Sequence, residues 1–368
     1  MRLTLVFSRW MSLARWDELG MFDRETALYR RLSCLGVDIS FLTWGDAKDL
    51  DFAGRLPGIS ILCNRWNLPG RRYERLAPFL HASRLWRSHV VKTNQSSAAA
   101  IALPAAGLWR RPLLARMGFM ASEFAQEEYG DGSPEHRQEL AREDRLFQAA
   151  RTIAVTTQAM ADSARRRHPG LSGRIEIVPN FVDTDLFAPM PGEEKRYDLV
   201  FIARLARQKN FDSFLEAIRR LGCKALVVGD GPLAPMAGQA VADGVIDWKK
   251  SVPHSDLPRL IAQSRLFILP SLWEGHPKTL IEAMAAGAAV IGARSPGIED
   301  VIRHGETGLL CGSEPGDIAE AIRSLLGNPA LQESLGAEAR AFARSTWSLE
   351  RIAAQELSLL HTTAGIRT

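Results

Sequence analysis

Short apolar runs alternate along this chain with longer stretches in which apolar and charged residues mix at helical spacing. Residues 2–8 (RLTLVFS), 37–42 and 59–63 are such runs, and their length and uniform apolarity predict buried strands. Between the first two, Met21, Ala27, Leu28 and Leu32 fall near helical spacing with charges between them, and Gly36 closes the element. Strand, helix and strand within about forty residues form a βαβ opening, so the sheet is expected to be parallel.

The same alternation continues. A helix is expected near 71–86, then a strand at 89–91 that ends in Lys92-Thr93-Asn94-Gln95, and another at 113–116 that runs into Met117-Gly118-Phe119. Ser133-Pro134-Glu135 is a helix start, and the charged stretch to Ala150 reads as an exposed helix. Strands at 152–155 and 175–178 flank a helix at 157–167. The proline, glycine and charge content of Pro179–Phe187 and the APMPGEEKR that follows mark a linker. The second half restarts with a strand at 199–203, a helix at 211–221 and strands at 225–228, 266–269 and 290–292. Helices follow near 317–326, 329–343 and 349–361, the last capped by Ser348. The expected division is a first α/β domain over 1–185, a second over 186–347 and a terminal helix over 348–368.

Composition agrees with two globular α/β domains: 368 residues, 46% hydrophobic and 24% charged, are enough for two cores. No apolar run is long enough to span a bilayer, and Leu3–Phe7 is too short for a signal-peptide core. Cys34, Cys63, Cys223 and Cys311 form no C-x-x-C pair, which suggests neither a zinc cluster nor a disulfide framework and fits a reducing cytoplasm. Residues 1–185 carry 26 Lys+Arg against 21 Asp+Glu, hence +5, while the remainder carry 20 against 21, hence −1. The arginine clusters at 71–72, 110–111 and 165–167 suit an anionic lipid surface or a phosphate-bearing acceptor as well as solvated helix faces. Nucleic acid is not expected, because no aromatic-studded basic motif accompanies them.

The chemistry concentrates in LPSLWEGHPKTLIEAMAAGAAVIG, residues 269–292. It reads as strand, turn, helix, strand, with Gly275 at the turn, Pro277 at a first helical position and Gly287 as the stop. Glu274 then lies at a strand's carboxyl end. The amides near Lys278, Thr279 and Leu280 lie at a helix amino end, where anionic oxygen is favoured, and Glu282 is one turn beyond Lys278. Arg204 closes the strand 199–203 and Lys209 precedes the next helix, two cations suited to a diphosphate. Gly229-Asp230-Gly231-Pro232-Leu233-Ala234 is formally a dinucleotide fingerprint, with Asp247 further on. It follows a second strand rather than a first, however, and Pro232 as a first helical residue explains the turn without a ligand.

The two glutamates with seven residues between them, Arg204 with Lys209, Gly229–Pro232, Val252-Pro253-His254, and Gly305-Glu306-Thr307-Gly308 together resemble the retaining nucleotide-sugar glycosyltransferases of family 4. Trp16, Gly20, Arg24-Glu25 and Tyr29 are similar to a subgroup of bacterial surface-polysaccharide glycosyltransferases. The resemblance implies the GT-B fold: two Rossmann-like domains facing across a cleft, with the terminal helix crossing back to the first.

It implies a hexosyltransferase that takes a UDP- or GDP-sugar and needs neither metal nor other cofactor. Arg204 and Lys209 would hold the diphosphate, Glu274 the donor sugar and Glu282 the ribose. Gly20, Val252, Gly275, His276, Lys278, Thr279 and Leu280 would complete the donor site. The acceptor would be a glycan or a lipid-linked saccharide, met in the cytoplasm or at the inner face of the membrane through the basic first domain. Lys92 and Arg116, at strand ends, are the acceptor-side residues expected. Many relatives have a histidine just after the strand 113–116, and none stands there in Met117-Gly118-Phe119. Asp183-Thr184-Asp185 lies in the linker, so no metal role is expected for it. A noncatalytic nucleotide-sugar-binding protein, a GT-B nucleotide-sugar epimerase and, last, a dinucleotide oxidoreductase are the rival readings.

Overall fold

The computed structural model of the chain describes residues 1–366. Among these, seven strands form one parallel sheet: β1 (Arg2–Val6), β2 (Asp38–Leu42), β3 (Ile59–Leu62), β4 (Val90–Thr93), β5 (Leu113–Arg116), β6 (Thr152–Val155) and β7 (Ile175–Ile177). Their order is β3-β2-β1-β4-β5-β6-β7. Six form a second: β8 (Tyr197–Ile202), β9 (Ala225–Val228), β10 (Ile246–Lys249), β11 (Ser264–Leu269), β12 (Ala289–Ala293) and β13 (Leu309–Cys311), in the order β10-β9-β8-β11-β12-β13. Every pairing is parallel, with helical crossovers except between β2 and β3, joined through a 3-10 segment, and between β12 and β13, joined by a loop.

The second sheet shows why its strands read as unbroken apolar runs. Val200 and Ile202 of β8 with Phe267 and Leu269 of β11 enter one core, while Leu199, Phe201, Leu266 and Ile268 enter another on the opposite face. Both faces are covered, so successive residues are all apolar. β10 and β13 were not visible in the sequence. β10 is an edge strand, IDWK, with exposed Asp247 and Lys249, and it therefore lacks the run that marks its neighbours.

Contacts divide the chain into two compact units, residues 1–179 with the segment from Ile352 onward, and residues 180–351. The division falls earlier than the composition of the linker suggests, because residues 180–187 are structured. The Val182 amide donates to the Trp347 carbonyl at 2.8 Å, and the Leu349 amide donates to the Val182 carbonyl. Asp183 Oδ1 accepts from the amides of Asp185 and Leu186, so this carboxylate caps a turn.

The last helix, Leu349–Ala364, buries Ile352, Ala353, Glu356, Leu359, Leu360 and Thr363. Most of it belongs to the first unit, where Thr363 donates to Thr152 at the start of β6.

The first crossover holds the expected helix as Phe22–Cys34, preceded by a short one, Leu13–Glu18, capped by Ser12. The expected helix over 71–86 breaks at His81 into Gly70–Leu80 and Ala82–Arg87. His81 is buried there, with Nε2 3.0 Å from the Tyr73 hydroxyl. Burying and pairing a polar ring at that point outweighs the continuity of helical hydrogen bonds.

Candidate active site

The order of the second sheet reverses between β8 and β11. In open parallel sheets, ligands bind outside the carboxyl ends of the strands at such a reversal. β8 delivers Arg204 there and β11 delivers Glu274.

After β8 the chain passes through Ala203, Arg204 and Leu205 against the loop that follows β9. The Leu205 amide donates to the Asp230 carbonyl at 3.0 Å, and the Leu233 amide donates to the Leu205 carbonyl at 2.9 Å. Two glycines make this approach possible. A Cβ on Gly229 would lie 1.9 Å from the Ala203 carbonyl oxygen, and one on Gly231 would lie 2.4 Å from that of Leu205. The G-x-G of this loop is thus accounted for by backbone packing. The helix after it begins at Ala234, not at Pro232.

Arg204 is exposed and makes no hydrogen bond or ion pair among the described residues. Lys209 ends a short 3-10 turn, Arg207–Lys209, after which Asn210 takes a left-handed φ of 53° and starts the helix Phe211–Leu221. The Lys209 ammonium pairs with Glu274 Oε1.

Glu274 is held from several sides. Ser271 Oγ donates to its Oε1 at 2.8 Å, and Gln208 Nε2 lies 3.4 Å from its Oε2 while donating to the Trp273 carbonyl at 2.8 Å. Its own amide donates to the Pro296 carbonyl. Gly275 does not take a positive φ. The position that requires glycine is Gly297, at φ 79°, where a Cβ would lie 2.4 Å from the Glu274 carbonyl oxygen and 2.6 Å from that of Gly275.

The following helix is Lys278–Ala285, with Pro277 at the position before its first residue and no side chain capping that end. Its first amides have no intrahelical partner. Leu280 is fully buried in the core, so only its backbone can meet a ligand, whereas Lys278 and Thr279 are half-buried. Glu282, one turn on, has Oε1 2.9 Å from His254 Nε2. Val252 packs against the core just before, and the His254 ring tilts against Phe187 at 5.1 Å. His276 is buried edge-on to Trp347 at 5.3 Å, and its carbonyl accepts from Asn180 Nδ2 at 2.7 Å. Gln208, Ser271, His254 and Gly297 thus join the expected residues. Nothing in their spacing marked the first two, since each acts through Glu274.

The first sheet reverses between β1 and β4. Gly20 lies after β1 at φ 67°, between the helices Leu13–Glu18 and Phe22–Cys34, and its amide donates to the Asp17 carbonyl. The two expected acceptor-side residues are both engaged within the first unit. Lys92 is 1% exposed and its ammonium lies 2.5 Å from Glu356 Oε1 of the last helix. Burial pushes that ammonium's pKa down, but the Glu356 carboxylate and the Tyr29 phenol beside it prevail and hold it above its ordinary value. Arg116 turns its guanidinium onto the carbonyls of Val178 and Pro179. Both cations stand at strand ends, as expected, but they serve chain segments of the same unit. Just after β5, Gly118 and Phe119 use their carbonyls to accept from Thr156 and Gln95. No cluster of three or more metal-ligating side chains occurs among the described residues.

Two family models match in succession, Glycosyltransferase Family 4 over residues 26–186 and Glycosyl transferases group 1 over residues 183–342. The GDP-mannose-dependent alpha-(1-6)-phosphatidylinositol monomannoside mannosyltransferase of Mycobacterium tuberculosis is 28% identical over 342 residues, 85% of this chain and 86% of that protein. Alpha-maltose-1-phosphate synthase of Mycolicibacterium smegmatis is 25% identical over 58% of this chain. This chain spans only about half to two thirds of three curated relatives, 63%, 52% and 57% of their lengths. Among solved structures, sucrose-phosphate synthase from Thermosynechococcus elongatus has a TM-score of 0.81 at 19% identity, covering 98% of both chains. Anabaena HepE in complex with UDP-glucose has 0.76 at 20% identity, covering 98% of this chain and 99% of that one. At such identities these structures show the fold.

Proposed function

Because this chain belongs to glycosyltransferase family 4 and has the GT-B fold, we propose that it moves a hexose from a nucleoside diphosphate sugar to an acceptor hydroxyl with retention at the anomeric carbon. The observation that carries this reading is the pairing of Lys209 with Glu274 where the strand order reverses, beside the amino end of the helix Lys278–Ala285.

Departure of the diphosphate is the costly step, since negative charge grows on the bridging oxygen as the anomeric carbon becomes cationic. Arg204, Lys209 and the amides of Thr279 and Leu280 are the groups that stabilise that charge, and they do so without a divalent metal. In the free protein Lys209 and Glu274 neutralise each other. The diphosphate competes for the ammonium, and the sugar hydroxyls compete for the carboxylate, which Ser271 and Gln208 keep aimed. Glu274 orients the anomeric carbon, and the acceptor attacks on the face from which the phosphate departs. Glu282 takes the ribose, Val252 and its neighbours the base, Gly20 a phosphate, and His276 and Lys278 the sugar or phosphate.

The M. tuberculosis relative is named for a lipid-linked acceptor and a GDP-mannose donor, and HepE holds UDP-glucose. These names support a UDP- or GDP-hexose donor and a lipid-linked acceptor; a glycan acceptor, and a setting in surface-polysaccharide assembly at the cytoplasmic face of a membrane, are part of the proposal. The test is release of nucleoside diphosphate from UDP- and GDP-hexoses in the presence of EDTA, with the product's anomeric proton read by NMR. Slow donor hydrolysis and an α-linked product from an α-donor are expected. Release that requires added metal, an inverted product, or an epimerised donor overturns the proposal.

A further inference from the structure

The helices Gly70–Leu80 and Ala82–Arg87 carry a surface on which the proposed transfer places no residue. In the first, Tyr73 and Ala77 face the core while Arg72, Arg75, Leu76 and Phe79 lie on the outward face. The outward stripe of such a helix is ordinarily polar. Here Leu76 is 43% and Phe79 61% exposed, and Trp86 of the next helix is 57% exposed.

The apolar surface extends past both ends of the longer helix. At its start the ring of Trp10, itself 59% exposed, lies so close over Gly70 that a Cβ there would be 2.2 Å from it. At its end Trp109 Nε1 donates to the Pro78 carbonyl at 2.9 Å, which brings exposed Leu108 and Arg110 alongside.

The charge around these side chains is mostly positive. Between residues 65 and 87 stand six arginines, at 65, 71, 72, 75, 84 and 87, all exposed, against a single acid. That acid, Glu74, is already paired with Arg9 at 2.8 Å, and from outside the segment Asp38 lies 3.7 Å from Arg84. Scattered single apolar residues on a surface need no explanation, whereas aromatic side chains gathered along a helix and ringed by arginine do.

We propose that this face docks on an anionic lipid bilayer, with Phe79, Trp86 and Trp10 entering the headgroup boundary and the arginines meeting lipid phosphates. Tryptophan and phenylalanine beside arginine suit that boundary, where one end of a side chain is apolar and the other wet. Anionic lipid supplies the opposite charge, while a second copy of the chain would oppose arginine to arginine. No helix among the described residues is long and apolar enough to cross a membrane, so the contact lies along the surface. The inference names the surface for the membrane contact proposed above and stands independently of the donor chemistry.

The test is flotation of the full chain, without donor, on vesicles of pure phosphatidylcholine and on vesicles containing one-third phosphatidylglycerol. Binding is expected to the anionic vesicles and to fall as salt rises. The double variant F79S/W86S should lower it at least about tenfold, and R72E/R75E should abolish the preference for anionic lipid. Thermal midpoints within a degree or two of the parent show that these exposed substitutions leave the fold intact. Nucleotide affinity should not change, which separates failure of this inference from failure of the transferase reading. Equal binding to neutral vesicles, or binding unaffected by both variants, overturns the proposal. So does light scattering that shows a dimer which either variant dissolves, since the face would then be occupied by a second copy.

Discussion

At the scale of single residues, the site rests on a few charges with unequal duties. Lys209 touches Glu274 in the free protein and, in the proposed reaction, the diphosphate. Lys209→Ala or Arg204→Ala should therefore raise the barrier by about 2 to 4 kcal/mol, the scale of losing one group aimed at developing charge. Turnover of both variants within a factor of two of the parent would contradict this role. His254 acts differently, because it reaches the ligand through Glu282. His254→Ala should weaken nucleoside diphosphate binding by about tenfold while kcat at saturating donor holds, since a net hydrogen bond to a charged group is worth about 1.5 to 3 kcal/mol. His254→Gln places an amide donor at a similar reach and should recover most of the affinity. Equal losses in Ala and Gln variants would show that the ring matters for packing on Phe187 instead. The charges were legible in the sequence because strand ends and a helix start are where a parallel sheet presents them. Ser271 and Gln208 were not, since a side chain that positions another residue leaves no periodic trace.

At the scale of elements, the sequence showed strands buried on both faces and missed the edges and the breaks. β10 is half polar because an edge strand needs no second apolar face, and the break at His81 depends on a tertiary contact with Tyr73. That contact predicts a pH dependence. Burial holds the His81 imidazole down to about 4 from its ordinary 6.5, so between those values the unfolded chain binds a proton that the folded chain does not. The stabilisation is present in full above pH 6.5 and is lost as pH falls toward 4, about 3 kcal/mol in all. Urea midpoints of the parent should drop more steeply over that window than those of His81→Gln, and parallel curves would remove the explanation. The last helix offers a second case. Lys92 and Glu356 were individually visible as a strand-end cation and a helical acid, but 264 positions separate them, and nothing local announces their pairing. Glu356→Leu leaves a buried ammonium without its counter-charge and should cost about 3 to 5 kcal/mol, whereas Lys92→Met/Glu356→Leu should recover most of that loss. If the double variant is no more stable than the single one, the pair is not what pins this helix to the sheet.

At the scale of the whole molecule, the chain forms two units with separate cores. The residues proposed to handle the nucleotide, Arg204, Lys209, Glu274 and Glu282, all fall within residues 180–351, and Lys92, Glu356 and the arginine-ringed helices fall within the other unit. The two-domain plan was readable because each half repeats the alternation of buried strand and amphipathic helix; the position of the division was not, because proline and charge after residue 185 resemble a linker more than the structured turn that Asp183 caps. The separation has an energetic consequence. A nucleoside diphosphate at about a hundred times its Kd should stabilise the unit that binds it by about 2.7 kcal/mol, with EDTA present, and Glu356→Leu should destabilise only the unit that contains it. Effects confined to different cooperative units, with no shared partners, add. Calorimetry of the Glu356→Leu variant with and without nucleotide should therefore show the ligand-induced rise of the second unit's transition undiminished while the first unit's transition stays shifted down. A rise that shrinks in the variant would mean that the buried pair in the first unit is coupled to nucleotide binding in the second.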